Sequence, residues 1–366
     1  MHARLLIVKL SSLGDVIQAM PVIADLRRLF DQRRQPLVID WAVEEDYQEL
    51  VSLHPGIDCV IPVGLRRWRK KGLFSALRDP LLRAERLTLR HRLSQTRYEA
   101  VIDLQGLIKS AWVAQMAVGP RHGWNTKAAR EALASLTYQH RYAAPRYDAM
   151  HAVARYRELC AQVMGYAGLL ADWPLDYGFW PSGPEARAGL VHRPRTDEAA
   201  RSGSILFLHG SARAEKLWPE ANWIGLGRAL MRFGVSIELG WGNDEERERA
   251  WRIARAIGSE RGSGDGLAKE SNAGLEALQV DARKLSLEEW PSRLTRLRAV
   301  VGVDSGLLFL ALACAVPALG IYLATDPGHV GLSGQSPHRN LGGKFQTVSI
   351  EEVLNGLQSL NVLGSA

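Results

Sequence analysis

The sequence predicts an α/β protein of two doubly wound, mostly parallel domains. Three observations carry this. Short apolar runs alternate with longer helical stretches, the same β-loop-α plan begins twice, and a stretch marked by Trp, Pro and Gly separates the two series. A length of 366 residues suits two domains. A composition that is 46% hydrophobic and 23% charged excludes a disordered or fibrous chain. The expected boundaries are 1–170 for the first domain, 171–203 for the linker, 204–345 for the second domain and 346–366 for a final helix.

The first series opens with a strand at Leu5 to Val8, the loop Ser11-Ser12-Leu13-Gly14-Asp15, and a helix carrying Val16, Met20, Ile23 and Leu26 on one face, with Asp15 at its start. Further strands are expected at Leu37 to Val43, Cys59 to Val63 and Ala100 to Leu104. The second series opens with a strand at Ile205 to Leu208 and the loop His209 to Pro219. A helix with Trp223, Leu226, Leu230 and Phe233 and a strand at Val235 to Leu239 follow. The segment Gly258 to Gly274 is Gly- and Ser-rich without apolar periodicity and reads as a surface loop. After it come a capping box from Ser286 and Glu289, a strand at Ala299 to Val303 and an apolar helix at Gly306 to Cys314. The last helix begins at Ser349 with Glu352 as its capping partner.

The net charge of +7 is local in origin. Between Arg66 and Arg92 ten basic residues face two acidic ones, Asp79 and Glu85, so the rest of the chain is near neutral. The segment Arg66 to Phe74 interleaves cations with Trp68, Leu73 and Phe74, a pattern that suits a phosphate backbone, an anionic lipid headgroup or an anionic sugar. A solvated helix face is the plain alternative. No nucleic-acid motif accompanies the patch, which favours an anionic small or amphiphilic substrate. The three cysteines, Cys59, Cys160 and Cys314, lie far apart with no metal-ligand spacing, which fits a reducing compartment. Neither a signal sequence nor an apolar stretch of membrane-spanning length is evident, so a soluble or peripheral protein is expected.

No Gly-rich dinucleotide fingerprint follows a strand and no P-loop occurs. The loops at strand ends are therefore the places to look, because open parallel sheets bind ligands there. The Ser11 to Val16 loop offers hydroxyls, Gly14 and the carboxylate of Asp15. In the second half, Asp304-Ser305-Gly306-Leu307 stands between a strand and an apolar helix, where backbone N–H groups can meet a diphosphate, and the His209 to Lys216 loop adds a hydroxyl and a Lys. Each of these also reads as a simple helix cap.

Taken together, several longer stretches resemble the lipopolysaccharide core heptosyltransferases, and the type I members rather than type II. They are Leu6 to Pro21 (LIVKLSSLGDVIQAMP), Asp40 to Tyr47 (DWAVEEDY), Val60 to Lys70 (VIPVGLRRWRK), Tyr98 to Ala111 (YEAVIDLQGLIKSA), Ala129 to Tyr138 (AREALASLTY), His151 to Leu159 (HAVARYREL), Lys216 to Trp223 (KLWPEANW), Val303 to Leu307 (VDSGL) and Thr325 to Gly328 (TDPG). The resemblance implies a GT-B fold, two Rossmann-like domains facing across a cleft, and an inverting transfer of heptose from ADP-heptose to Kdo (3-deoxy-D-manno-octulosonic acid) on lipid A. It implies no metal and no cofactor, no nucleic-acid partner, and a cytoplasmic place on the inner face of the inner membrane.

The same resemblance implies the site. Asp15 and Lys216 are the catalytic residues, and Ser211, Lys216, Glu246, Asp304, Ser305, Gly306 and Leu307 bind the donor. Ser12, Gly14, Arg66, Arg67, Arg69, Lys70, Gln105, Lys109 and Arg130 bind the acceptor. Trp68, Leu73 and Phe74 are expected to touch the membrane. The chain departs from the family pattern at Phe309, where a histidine is usual, with His329 as a substitute for it, and at Leu323-Ala324 in place of Gly-Pro. A nucleotide-sugar enzyme of other specificity and a non-enzymatic nucleic-acid binder are the competing classes.

Overall fold

The computed structural model describes residues 2–70, 79–178, 203–259 and 277–363. The chain divides into two compact units, residues 1–179 and 180–366. Among the described residues no helix is long and apolar enough to cross a membrane.

The first unit contains strands β1 (Ala3–Val8), β2 (Leu37–Glu44), β3 (Cys59–Val63), β4 (Ala100–Asp103), β5 (Arg121–Trp124) and β6 (His140–Tyr142). Its helices are α1 (Leu13–Ala19), α2 (Pro21–Gln32), α3 (Gln48–Ser52), α4 (Leu65–Lys70), α5 (Pro80–Ser94), α6 (Ile108–Ala114) and α7 (Ala152–Met164). The strands form one parallel sheet in the order β3-β2-β1-β4-β5-β6. The central strands are nearly continuous apolar runs because helices cover both faces of a parallel sheet.

The second unit contains β7 (Ile205–Leu208), α8 (Glu220–Arg232), β8 (Ile237–Leu239), α9 (Asp244–Gly258), β9 (Leu278–Val280), α10 (Trp290–Leu294), β10 (Ala299–Val303), α11 (Gly306–Ala313), β11 (Ala318–Tyr322), α12 (Pro327–Val330), β12 (His338–Gly342) and α13 (Ile350–Ser359). Its sheet is also parallel, in the order β12-β11-β10-β7-β8-β9. Counted from its own first strand, this is the order of the first sheet. In each unit the first and fourth strands are neighbours, and they mark the point where the winding reverses. One core of the second unit gathers Phe207, Trp218, Trp223, Leu226, Ile253, Val301 and Leu357.

Several expected elements differ in detail. The single helix after the first loop is two helices, because Pro21 lacks an N–H and occupies the first turn of α2. Asp15 does not start α1. Ser12 is the cap, and Asp15 sits three residues on, accepting from the Ser12 N–H at 3.1 Å. Phe233 lies past the end of α8 and is exposed, and β8 starts at Ile237 rather than Val235. Glu289 accepts from the Ser286 N–H at 2.8 Å, but helix α10 begins only at Trp290. Gly258 ends α9, while residues 260–274 of the expected loop, 179–202 of the expected linker, and Leu73 and Phe74 lie outside the described residues. The final helix, α13, packs on α8 and β11 of the second unit.

In the first unit α2 and α7 are clamped by a buried ion pair, with Arg157 Nε and one terminal nitrogen donating to Asp25 at 2.7 and 2.9 Å. A carboxylate so placed is tolerable only with its cation. Arg157→Met is therefore expected to destabilise the first unit by about 3–5 kcal/mol. Chemical unfolding followed by hydrogen exchange in α2 and α7 measures this, and a loss below about 1 kcal/mol would mean that water or another group takes the guanidinium's place.

Candidate functional site

The loops leaving β1 and β4 meet through one glutamine. Gln105 is buried, and its Oε1 accepts from the N–H groups of Leu10 and Ser11 at 2.7 and 3.3 Å. Asp103, fully buried at the end of β4, fixes the second loop. It accepts from the N–H groups of Gln105 and Gly106 and from the hydroxyls of Ser110 and Tyr138, at 2.7–3.1 Å. Tyr138 reaches it by lying across Gly123, where a Cβ would come within 2.3 Å of its ring. Lys109, on the first turn of α6, donates to Ser11 Oγ at 2.8 Å.

Asp15 stands at the mouth of this pair of loops, on the first turn of α1 beside Ser12 and Gly14. Its Oδ2 accepts from the Ser12 hydroxyl at 2.7 Å, its Oδ1 accepts from Tyr156 OH at 2.8 Å, and Lys9 Nζ is 3.5 Å away. Lys9 also donates to Tyr156 OH at 2.9 Å, so the phenol accepts from the ammonium and donates to the carboxylate. Burial opposes ionisation of Asp15, but the Lys9 charge and the hydrogen bonds from Ser12 and Tyr156 outweigh it and hold the carboxyl well below its ordinary range. Burial also lowers the pKa of Lys9, against the pull of Asp15. The expected site set contained neither Lys9 nor Tyr156. Lys9 directly follows an apolar strand, and a cation set within the apolar run Leu5 to Leu10 was the available signal. Tyr156 is 141 residues from Asp15, and nothing local to it in sequence points there.

The expected acceptor cations divide. Burial lowers the pKa of Lys109, with Glu44 opposing and Arg66, Arg69 and Arg130 adding to the shift, so these four cations share one field. Arg130 lies over Tyr147, with its guanidinium carbon 5.2 Å from the ring centroid, and Arg66 lies over Tyr47 at 4.9 Å. Arg66 also meets Asp46 at 3.3 Å, Arg67 is held by Glu45 and Glu85 at 2.8 and 2.9 Å, and Lys70 is exposed at the end of α4. Trp68, the aromatic of this basic run among the described residues, is not a contact surface. Trp68 is buried in the core and donates to Glu85 at 2.7 Å, which corrects the expectation that it touches a membrane and removes a stacking platform for nucleic acid.

In the second unit the loops leaving β7 and β10 again come together. Lys216 Nζ lies 2.6 Å from Asp304 Oδ2, which also accepts from Thr325 Oγ1 at 2.9 Å. Ser305 caps α11 in extended conformation, yet its buried Oγ has no hydrogen-bond partner among the described residues, so it and the first-turn N–H groups are set up to receive an anion. Gly306 and Leu307 form that first turn. Ser211 is half-buried on the β7 loop. Glu246, on the first turn of α9, accepts from Gly242 N–H at 2.7 Å and lies against Gly210, where a Cβ would come within 2.4 Å of the carboxyl. Arg249 ties the arrangement together by donating to the carbonyls of His209 and Trp218 at 3.1 and 2.5 Å. Phe309 is buried in α11, where it offers no polar group, and His329 lies on α12.

The depressed pKa of Asp15 has a thermodynamic sign. A carboxyl whose folded-state pKa lies below its unfolded value of about 3.9 contributes stability that is fully present above that value and is lost as the pH falls. The margin of the wild type over Asp15→Asn is expected to be larger at about pH 7 than at about pH 3.5. Equal margins in denaturant titrations at the two pH values would remove the Lys9 and Tyr156 pairing as a source of stability.

Comparison with known proteins gives a consistent result. The profile described as glycosyltransferase family 9 (heptosyltransferase) matches residues 86–349. A lipopolysaccharide heptosyltransferase 1 from Salmonella typhimurium is 37% identical, covering 92% of this chain and 96% of that one. One of the same name from Pseudomonas aeruginosa is 38% identical, covering 93% and 84%. The solved structure of E. coli heptosyltransferase WaaC with ADP superposes with a TM-score of 0.78 at 33% identity, covering 98% of this chain and 99% of that one.

Proposed function

Since the chain belongs to glycosyltransferase family 9, the heptosyltransferases, it is a heptose-transferring enzyme of lipopolysaccharide core assembly, and we propose that it moves L-glycero-D-manno-heptose from ADP-heptose to Kdo of Kdo-lipid A, inverting the anomeric carbon. The observation that carries this reading is Asp15, an ionised carboxylate on the loop that Lys109 reaches through Ser11, with Arg66, Arg69 and Arg130 in the field of Lys109.

Asp15 accepts the proton of the attacking Kdo hydroxyl as the new C–O bond forms and ADP leaves through an oxocarbenium-like transition state. A carboxylate stabilised by Lys9 and Tyr156 is a weak base, so the proton moves late, when bond formation has made the hydroxyl acidic. Ser12, Gly14 and Gln105 shape the loop, and Arg66, Arg69, Lys70, Lys109 and Arg130 meet the acceptor's carboxylates and phosphates, while Arg67 stays with Glu45 and Glu85. The first unit is the acceptor domain in this reading and the second the donor domain.

On the donor side the charge of departing ADP develops on the diphosphate, which Lys216 and the first-turn N–H groups from Ser305 to Leu307 meet together, with the Ser211 and Ser305 hydroxyls as further donors. Lys216 already holds Asp304, so an arriving diphosphate shares the ammonium while Asp304 turns to the heptose hydroxyls. Glu246 takes the ribose. This scheme uses no metal or other cofactor and no nucleic acid, and it places the enzyme peripherally on the cytoplasmic face of the inner membrane.

Product formation from purified protein, ADP-heptose and deacylated Kdo-lipid A, read by mass spectrometry with and without EDTA, tests the reading. One heptose is expected on the acceptor despite the chelator, and no transfer under any condition would overturn it. Asp15→Ala is expected to lower kcat by about 10²–10⁴-fold with donor affinity nearly unchanged. A near wild-type rate would take the base role from Asp15. Lys216→Ala is expected to raise the donor KM and lower kcat together, because its charge meets the diphosphate before and during departure. If both constants stay at wild-type values, Lys216 has no part in donor binding.

A further inference from the structure

The first unit carries an exposed apolar surface next to its cations. On α6, Ile108 and Trp112 stand one turn apart and are 52% and 37% exposed. The 3-10 turn Ala132–Thr137 packs on α6 through Ala111, Ala134 and Tyr138 and turns Leu133 and Leu136 outward, 63% and 60% exposed. Trp112 meets Trp68 edge to face at 6.3 Å between centroids, which joins the patch to α4 and so to Arg66 and Arg69. Lys109 lies between Ile108 and Trp112 in sequence and reaches Ser11, so the patch borders the loop that carries Asp15. Glu131, just before the turn, accepts from Ile108 N–H at 2.6 Å and fixes the two elements to each other.

Four large apolar side chains on two packed elements, including a half-exposed tryptophan and rimmed by cations, are the composition of an interfacial membrane contact. We propose that this surface, Ile108, Trp112, Leu133 and Leu136, docks the enzyme onto an anionic phospholipid bilayer, with the neighbouring Arg and Lys side chains at headgroup level. Charge favours this occupant over a second copy of the chain. A two-fold contact through the same patch would bring two sets of cations together, whereas an anionic leaflet complements them. The proposal rests on the reading of Asp15 as the base for a lipid-linked acceptor, since docking here brings the sugar of a membrane-held acceptor to the Asp15 loop. It also relocates the membrane contact from Trp68, which the fold buries, to residues that sequence order separates.

The test is flotation of the full chain with vesicles of phosphatidylethanolamine and phosphatidylglycerol, and with phosphatidylcholine vesicles alone. The wild type is expected to bind the anionic vesicles, less so at raised salt, and the neutral ones weakly. Leu133→Ser with Leu136→Ser is expected to cut the anionic partition by about tenfold, with unchanged thermal unfolding and unchanged turnover on the deacylated acceptor. Ile108→Ser is an independent second variant, expected to act in the same direction. No binding by the wild type, or equal binding by both variants, would overturn the proposal. So would a wild-type dimer that the double variant converts to monomer, because the patch would then be a self-interface. Failure of heptose transfer to the deacylated acceptor would instead defeat the functional reading and leave the flotation result to decide the surface.

Discussion

Both units are governed by the constraint that a parallel sheet must route its connections right-handedly across one face or the other. Where the winding reverses, between β1 and β4 in the first unit and β7 and β10 in the second, the chain runs on to opposite faces of the sheet while the two loops at those strand ends lie together, the place where open parallel sheets bind ligands. The central members of the candidate site come from these four loops or from helices packed against them. Asp15 follows β1, Gln105 and Lys109 follow β4, Lys216 follows β7, and Asp304 and Ser305 follow β10.

Loops so placed can hold a ligand only if they are rigid, and each unit achieves that with buried polar groups. Asp103 gathers four donors and fixes the loop that presents Gln105, which in turn holds the backbone of Leu10 and Ser11. Arg249 does the corresponding work in the second unit through two carbonyls on either side of Lys216. Groups so deeply buried must be paired to be tolerated, so each network favours one loop conformation over its alternatives.

The two halves handle charge differently. In the first, a carboxylate is stabilised by an ammonium and a phenol, which keeps it ionised and limits its basicity. In the second, a lysine is held by an aspartate beside a helix N-terminus whose capping hydroxyl has no partner among the described residues. The first arrangement suits a group that receives a proton late in a reaction, and the second suits one that receives an anion. Phe309, buried in α11, adds no polar group to that helix N-terminus.

The sequence by itself determined the parallel architecture, the strands from Leu37, Cys59 and Ile205, the loops that carry Asp15, Lys216 and Asp304, and the family, because apolar periodicity and short motifs are local properties of the chain. It missed the break at Pro21 because the apolar face continues through it. Only the tertiary structure decided that Lys9 and Tyr156 share Asp15, that Arg67 is held by Glu45 and Glu85, that Trp68 is core, and that Ile108, Trp112, Leu133 and Leu136 share one surface. Each of these depends on which distant segments the sheet order brings side by side, and burial and pairing across such distances leave no periodic trace in the sequence.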